Sequence, residues 1–176
     1  RYTGGNNLAT QATTCDNNAN YQRVTVSATS GTNPAVGPDE RQNFANWFTF
    51  YRTRMLNAKS AIGLAFQGFN NEIRLGFTTI DNDDVTDSAF WHSIRDFSST
   101  LPAAGAGSQK AQWYSKLYAT KPDNGTPLRS QLQKMGKMYQ GTLAGADDPV
   151  QYSCQPNYTI LSTDGYWSAN PLPAGR

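Results

Sequence analysis

The sequence predicts an α/β layered domain built on a parallel sheet. Three observations carry that prediction. Helical and strand-like periodicities follow one another in the order helix, strand, helices, strand. Both strands are short, apolar and end in polar residues, as buried parallel strands do. A chain of 176 residues has room for one domain with a sizeable core and is too short for two ordinary ones.

Residues 1–38 are rich in Gly, Asn, Thr and Ser and read as a loop-rich insertion. They hold one strand-like alternation, "YQRVTVSAT", in which Tyr21, Val24 and Val26 are β-formers. The domain proper is assigned to residues 39–176. Pro38-Asp39 is a natural helix start, because Asp accepts the free amides of a first turn. Beyond it, Phe44, Trp47, Phe48, Tyr51, Met55, Ala58, Ile62, Ala65, Phe66 and Phe69 recur at helical spacing. So broad a stripe predicts a helix buried along most of one side, with Arg52 and Arg54 toward solvent or a neighbouring loop.

"EIRLGFTTI" alternates Ile73, Leu75, Phe77 and Thr79 against Arg74, Gly76 and Thr78, which is a strand pattern. "DNDDVTDSAFWHSIRDFSS" gives an acidic loop and a short helix-like piece. "KAQWYSKLYATKP" places Trp113 and Leu117, with Tyr114, on one helical face, and "GTPLRSQLQKMGKMYQ" does the same with Leu128, Leu132, Met135 and Tyr139. "NYTILSTDG" reads as the second strand. Ligands of open α/β sheets sit at the carboxyl ends of strands, where the sequence puts Asp81 and Asp164.

Composition excludes several classes of function. The formal charge of +2 gives little electrostatic case for nucleic acid, and no apolar run is long enough to span a bilayer. The only histidine is His92 and no CxxC occurs, which leaves no zinc site. It reads as an ordinary surface or half-buried histidine. Cys15 and Cys154 are either a long-range disulfide of an oxidising compartment or two free thiols. The disulfide would stabilise by about 4–5 kcal/mol through loop closure. Arg1 follows no initiator Met, and the expectation is a processed chain or an excerpt of a longer one.

Asp164 has three readings. Asp-Gly turns chains. A phosphoryl-transfer Asp would need Asp two residues earlier, where Ser162 stands, and "GTPLRSQL" is no phosphate loop. An open divalent-metal site wants hard oxygen ligands, which Thr126 and Asp164 offer from two loops. In the acidic loop, Asp81, Asp83, Asp84 and Asp87 suggest calcium. Val85 in the fifth position and the lack of a closing Glu leave a solvated loop instead.

"GTPL..L" followed by "ILSTDG" resembles the second and third motifs of the von Willebrand factor A domain, and "RMLNAKSAIGLAF" with "IRLGFTTI" is similar to its first helix and second strand. The longer phrases "NWFTFYRTRM" and "YSCQPNYTILSTDGYW" resemble the A-domain region of PilC/PilY-type proteins at the tip of type IV pili, across roughly residues 40–167. The resemblance implies a von Willebrand factor A-like, Rossmann-like parallel sheet flanked by helices. It also implies a metal-ion-dependent adhesion site in which Thr126 and Asp164 match residue by residue.

The Asp-x-Ser-x-Ser motif of that family's first, central strand is absent from this sequence. The sheet is therefore expected to be incomplete, with its missing strand upstream or on another chain, and the metal site partial. Thr126 and Asp164 contact the metal in the intact protein or serve as structural turns. The implied protein is secreted, works in pilus assembly and adhesion at the pilus tip, and is no enzyme. Its implied partners are minor pilins and a host or surface receptor, with Mg²⁺, Mn²⁺ or Ca²⁺ as the cation. Tyr166 and Trp167 either touch the partner or pack on the sheet edge. The alternative is a metal-free, force-bearing module between the pilus and another adhesive region.

Overall fold

A computed structural model describes residues 21–168, apart from 33, 36, 83, 87–88, 101–106 and 123–124. The chain divides into two compact units, one ending at Arg52 and the other beginning at Thr53.

In the first unit the described elements are loops and one helix, α1 (Arg41–Phe50). Asp39 accepts the Arg41 amide at 3.1 Å from one residue before the cap position, which is held by Glu40 without a side-chain capping bond. Its carboxylate also takes the Arg41 guanidinium at 2.6 and 2.9 Å, which holds its pKa at about 2. Glu40 ties the preceding turn to the helix: its amide donates to Ser27 O and its carboxylate accepts from Ser30 Oγ at 2.8 Å. No strand forms over residues 22–27. No residue of α1 is buried, which corrects the expectation of a helix sunk along one side. Phe44 packs on Trp47 and Phe48 at ring distances of 5.7 and 6.0 Å, and Arg52 covers Phe48 at 4.0 Å. The aromatic stripe thus forms a cluster along its own helix.

The single long helix expected across both units is two. Thr53 adopts an extended conformation and its hydroxyl accepts the Leu56 amide at 3.2 Å, so a new helix, α2 (Arg54–Phe66), starts there. It is followed by β1 (Arg74–Thr78), β2 (Trp91–Asp96), α3 (Gln109–Ala119) and α4 (Leu128–Tyr139). The fold is mixed α/β. Among the described residues the sheet has two strands and is antiparallel, with Arg74 opposite Asp96 and Thr78 opposite Trp91.

Three sequence expectations change here. Residues 91–96, read as helix-like, are a strand. Their neighbour is β1, and Trp91 and His92 are both buried. Residues 157–165, read as the second parallel strand, belong to no sheet, and Ile160 is 77% exposed. A strand needs a neighbour for its amides and carbonyls, and the described residues supply none. The von Willebrand-type parallel sheet is accordingly not what these elements form.

The register of β1 slips between Leu75 and Phe77. Gly76 makes that possible, because a Cβ there would lie 2.7 Å from His92 O and 3.1 Å from Ile94 N. Phe97, Trp113 and Leu117 form the buried core, against which Ile62, Phe66, Ile73, Leu75, Phe77 and Tyr114 pack. Trp113 is its hub. It meets Phe97 and Phe77 edge-on at 5.4 and 6.2 Å, and its indole N–H donates to Gly76 O at 3.1 Å.

Helices α2 and α3 close each other's ends. Lys59 Nζ donates to Tyr118 O at 2.7 Å, and Lys110 Nζ donates to Gln67 O and Phe69 O at 2.8 and 2.6 Å. Both ammonium groups satisfy carbonyls at or beyond a helix C-terminus.

Buried glutamines do the remaining stitching. Gln109 Nε2 donates to Leu75 O and Ser93 O, one carbonyl from each strand, at 3.1 and 2.9 Å. Gln131 Nε2 donates to Thr79 O and Asn82 O at 2.9 and 2.6 Å, which fastens α4 to the turn after β1. The buried residues of α4 are Gln131 and Met138, and Leu132 is 53% exposed. The helix is therefore rotated from the Leu128–Leu132 face that its apolar residues suggest, because the open carbonyls after β1 demand a donor.

Candidate functional site

The residues singled out for metal binding lie on two loops that meet near α4. Thr126 precedes that helix and is half-buried. Its amide donates to Ser168 Oγ at 2.8 Å, and its carbonyl accepts the Ser168 amide at 3.0 Å. The segment that follows Asp164 is thus brought against the Thr126 turn. Asp164 itself is engaged elsewhere: Oδ2 lies 2.5 Å from Arg54 Nη1, at the start of α2. Arg54 does face a neighbouring loop, as its position in the stripe predicts.

A divalent cation needs several convergent oxygens and a net negative site. The Asp164 carboxylate already faces a guanidinium, and the Thr126 turn is committed to Ser168 through its backbone. No group of three acidic, histidine or cysteine side chains converges among the described residues. In this arrangement Asp164 is paired with Arg54, and Thr126 and Asp164 are not joined by a third such ligand among the described residues.

The acidic loop does not read as a cation site either. Asn82 O, near the start of that loop, accepts from both Gln131 Nε2 and Lys134 Nζ, so an ammonium already sits there. Asp84 Oδ1 accepts the amide and hydroxyl of Thr86 at 2.7 and 2.6 Å, which shapes the turn. Asp83 and Asp87 lie outside the described residues.

His92 is more buried than the sequence suggests, at 8% exposure. Burial pushes its pKa below the ordinary value, the Gln109 carbonyl opposes that, and Lys116 and Arg95 add to the fall. Cys154 is exposed and its thiol is free among the described residues, while Cys15 lies outside them. Tyr166 is 97% exposed and Trp167 58%, so Tyr166 does not pack on a sheet edge.

A shallow groove of about 300 Å³ lies between α2 and α3, lined by Gly63, Leu64, Gln67, Lys110, Tyr114 and Tyr118. The hydroxyl of Tyr114 donates to Gly63 O at 2.7 Å, and its ring stacks on Tyr118 at 5.9 Å. Burial raises the Tyr114 pKa, so the phenol stays neutral. The groove holds no nucleophile beside a base, and its lysine is spent on helix-end carbonyls. Sequence reasoning missed Ser168, Gln109 and Gln131, polar residues whose partners are distant carbonyls and amides with no local signature.

Among the described residues no helix is long and apolar enough to cross a membrane. No protein-family model matches the chain, and no solved structure does. It is 27% identical to the type IV pilus biogenesis factor PilY1 of Pseudomonas aeruginosa strain PAK, an alignment that covers 100% of the chain and 14% of that protein. It is 28% identical to PilY1 of strain PAO1 over 80% of the chain and 13% of the relative, and 28% identical to PilY1 of strain UCBPP-PA14 over 88% and 13%. The chain thus spans about a seventh of the length of these relatives. Similarity along its whole length relates the chain to the PilY1 type of pilus biogenesis factor.

Proposed function

We propose that this chain is a segment of a type IV pilus biogenesis factor, acting outside the cell, at the pilus tip, as a protein-binding module that catalyses no reaction. The observation that carries the reading is the similarity to PilY1 along the entire chain. Pilus subunits, the minor pilins among them, and a host or surface receptor are its partners on this reading. Tyr166 and Trp167 are the contact residues, because they offer exposed aromatic area beside a polar anchor.

The finer reading of the fold, an A-type parallel sheet, belongs to the longer protein. Residues 157–163 form neither helix nor strand, carry the β-formers Tyr158, Thr159 and Ile160, and have no ladder among the described residues. Such a segment suits a strand whose neighbour comes from the remainder of a PilY1-length polypeptide. Cys15 and Cys154, paired in an oxidising compartment, would brace the module against pulling.

Between metal-dependent adhesion and a metal-free, force-bearing module, the Arg54–Asp164 pair favours the second, since it commits the acid that a cation would need. The test is an exchange of segments. The matching region of strain PAK PilY1 is deleted, or replaced by this chain, and surface pili are counted. Restored piliation in the chimera is the expected result. A chimera as bare as the deletion rejects the proposal.

A further inference from the structure

The segment from Tyr158 to Ser168 has no sheet partner among the described residues, yet it is held at three points. The Tyr139 hydroxyl donates to Tyr158 O at 2.6 Å, Arg54 pairs with Asp164 at 2.5 Å, and Ser168 exchanges two bonds with Thr126 at 2.8 and 3.0 Å. Thr126 lies just before α4 and Tyr139 ends it, so one helix sets the spacing of the outer points. The thirteen steps from Thr126 to Tyr139 span about 20 Å at helical rise. The ten steps from Tyr158 to Ser168 reach about 33 Å when extended. The segment has slack and must bow. Gly165 provides the bend, at φ +134°, a conformation that L side chains rarely adopt. Without a tie in its middle the bow would be free, and the tie that exists is Arg54 on Asp164.

We propose that Arg54 is the resident cation of this site: its guanidinium takes the place at Asp164 that the adhesion-site reading gives to a divalent ion, and the pair acts as a clasp that fixes the bowed segment. Charge balance supports this assignment. The carboxylate of Asp164 is neutralised by a group built into the chain, and it belongs to no set of three acidic, histidine or cysteine side chains among the described residues. The clasp deepens the metal-free reading and rests on it only for its purpose, because the pair and its effect on the segment exist whatever the segment binds.

Hydrogen exchange on the 176-residue chain tests it, with Arg54→Ala, Asp164→Asn and the double variant. An ion pair this exposed holds its segment by a modest factor, so each single variant should speed exchange of the Ser168 amide, which is bonded to Thr126 O, by about 1.4- to 5-fold. The double variant should go no further than the faster single one. High salt should reproduce the effect in the wild-type chain. Millimolar MgCl₂, MnCl₂ or CaCl₂ at constant ionic strength should leave the wild-type rates unchanged. Additive single effects overturn the clasp. Slower exchange with a divalent salt, lost in Asp164→Asn, overturns the assignment of Arg54 as the cation. The binding reading fails separately: Tyr166→Ala/Trp167→Ala in the PilY1 chimera would then leave piliation intact, with no bearing on these exchange rates.

Discussion

Replacing Gln109 by leucine isolates one device that holds the sheet together. The side chain is 3% exposed, and its amide donates to Leu75 O on β1 and Ser93 O on β2. Leucine keeps the bulk and removes both donors. Each carbonyl left buried without a partner costs about 1–3 kcal/mol, and the apolar gain of leucine offsets part of the pair. The net expected loss is about 2–4 kcal/mol. Urea unfolding followed by tryptophan fluorescence should therefore show a midpoint lowered by about 1–2 M at an ordinary denaturant slope. Exchange protection should fall first at the amides of 74–78 and 91–96. Gln109→Glu sharpens the test. A carboxylate would face two carbonyl oxygens, so this variant should be weaker than leucine at neutral pH and recover as the acid protonates. A leucine variant within experimental error of wild type, with unchanged strand protection, would refute the idea that the amide bridges the two strands.

Other substitutions probe the remaining supports. Gly76→Ala places a methyl against backbone atoms of β2 and should cost about 1–3 kcal/mol by thermal denaturation. Gly136→Ala, in the middle of α4 with nothing within 4 Å of the added carbon, should stabilise by up to about 1 kcal/mol. Trp113→Ala removes the hub of the core and should cost about 3–5 kcal/mol, enough to leave little cooperative unfolding in the second unit. His92 makes stability depend on pH. Its folded pKa lies below the unfolded value of 6.5, so the unfolded chain binds the proton more readily. Its contribution is whole above pH 6.5, shrinks as the pH falls from there to the lower folded value, and changes no further below that. Urea midpoints measured through this window should drop in wild type and stay flatter in His92→Gln.

Several elements are legible from local sequence. The spacing of Trp113 and Leu117 marks α3 and its buried face, and the alternation through Leu75 and Phe77 marks β1. The errors have local causes too. Phe90, Ile94 and Phe97 recur at helical intervals, so β2 looks like a helix until β1 pairs with it. Thr53 sits inside an unbroken apolar stripe, and its capping role shows only once the chain turns there.

By itself the sequence determined the kinship with pilus biogenesis factors and the mixed α/β character. The tertiary structure alone decided the antiparallel pairing, the rotation of α4 that buries Gln131, and the partner of Asp164. Periodicity is set by residues a few positions apart, which one chain segment contains. Whether a carboxylate meets a metal, a guanidinium or water depends on what a distant segment brings within 3 Å, and for Asp164 that segment begins at Arg54.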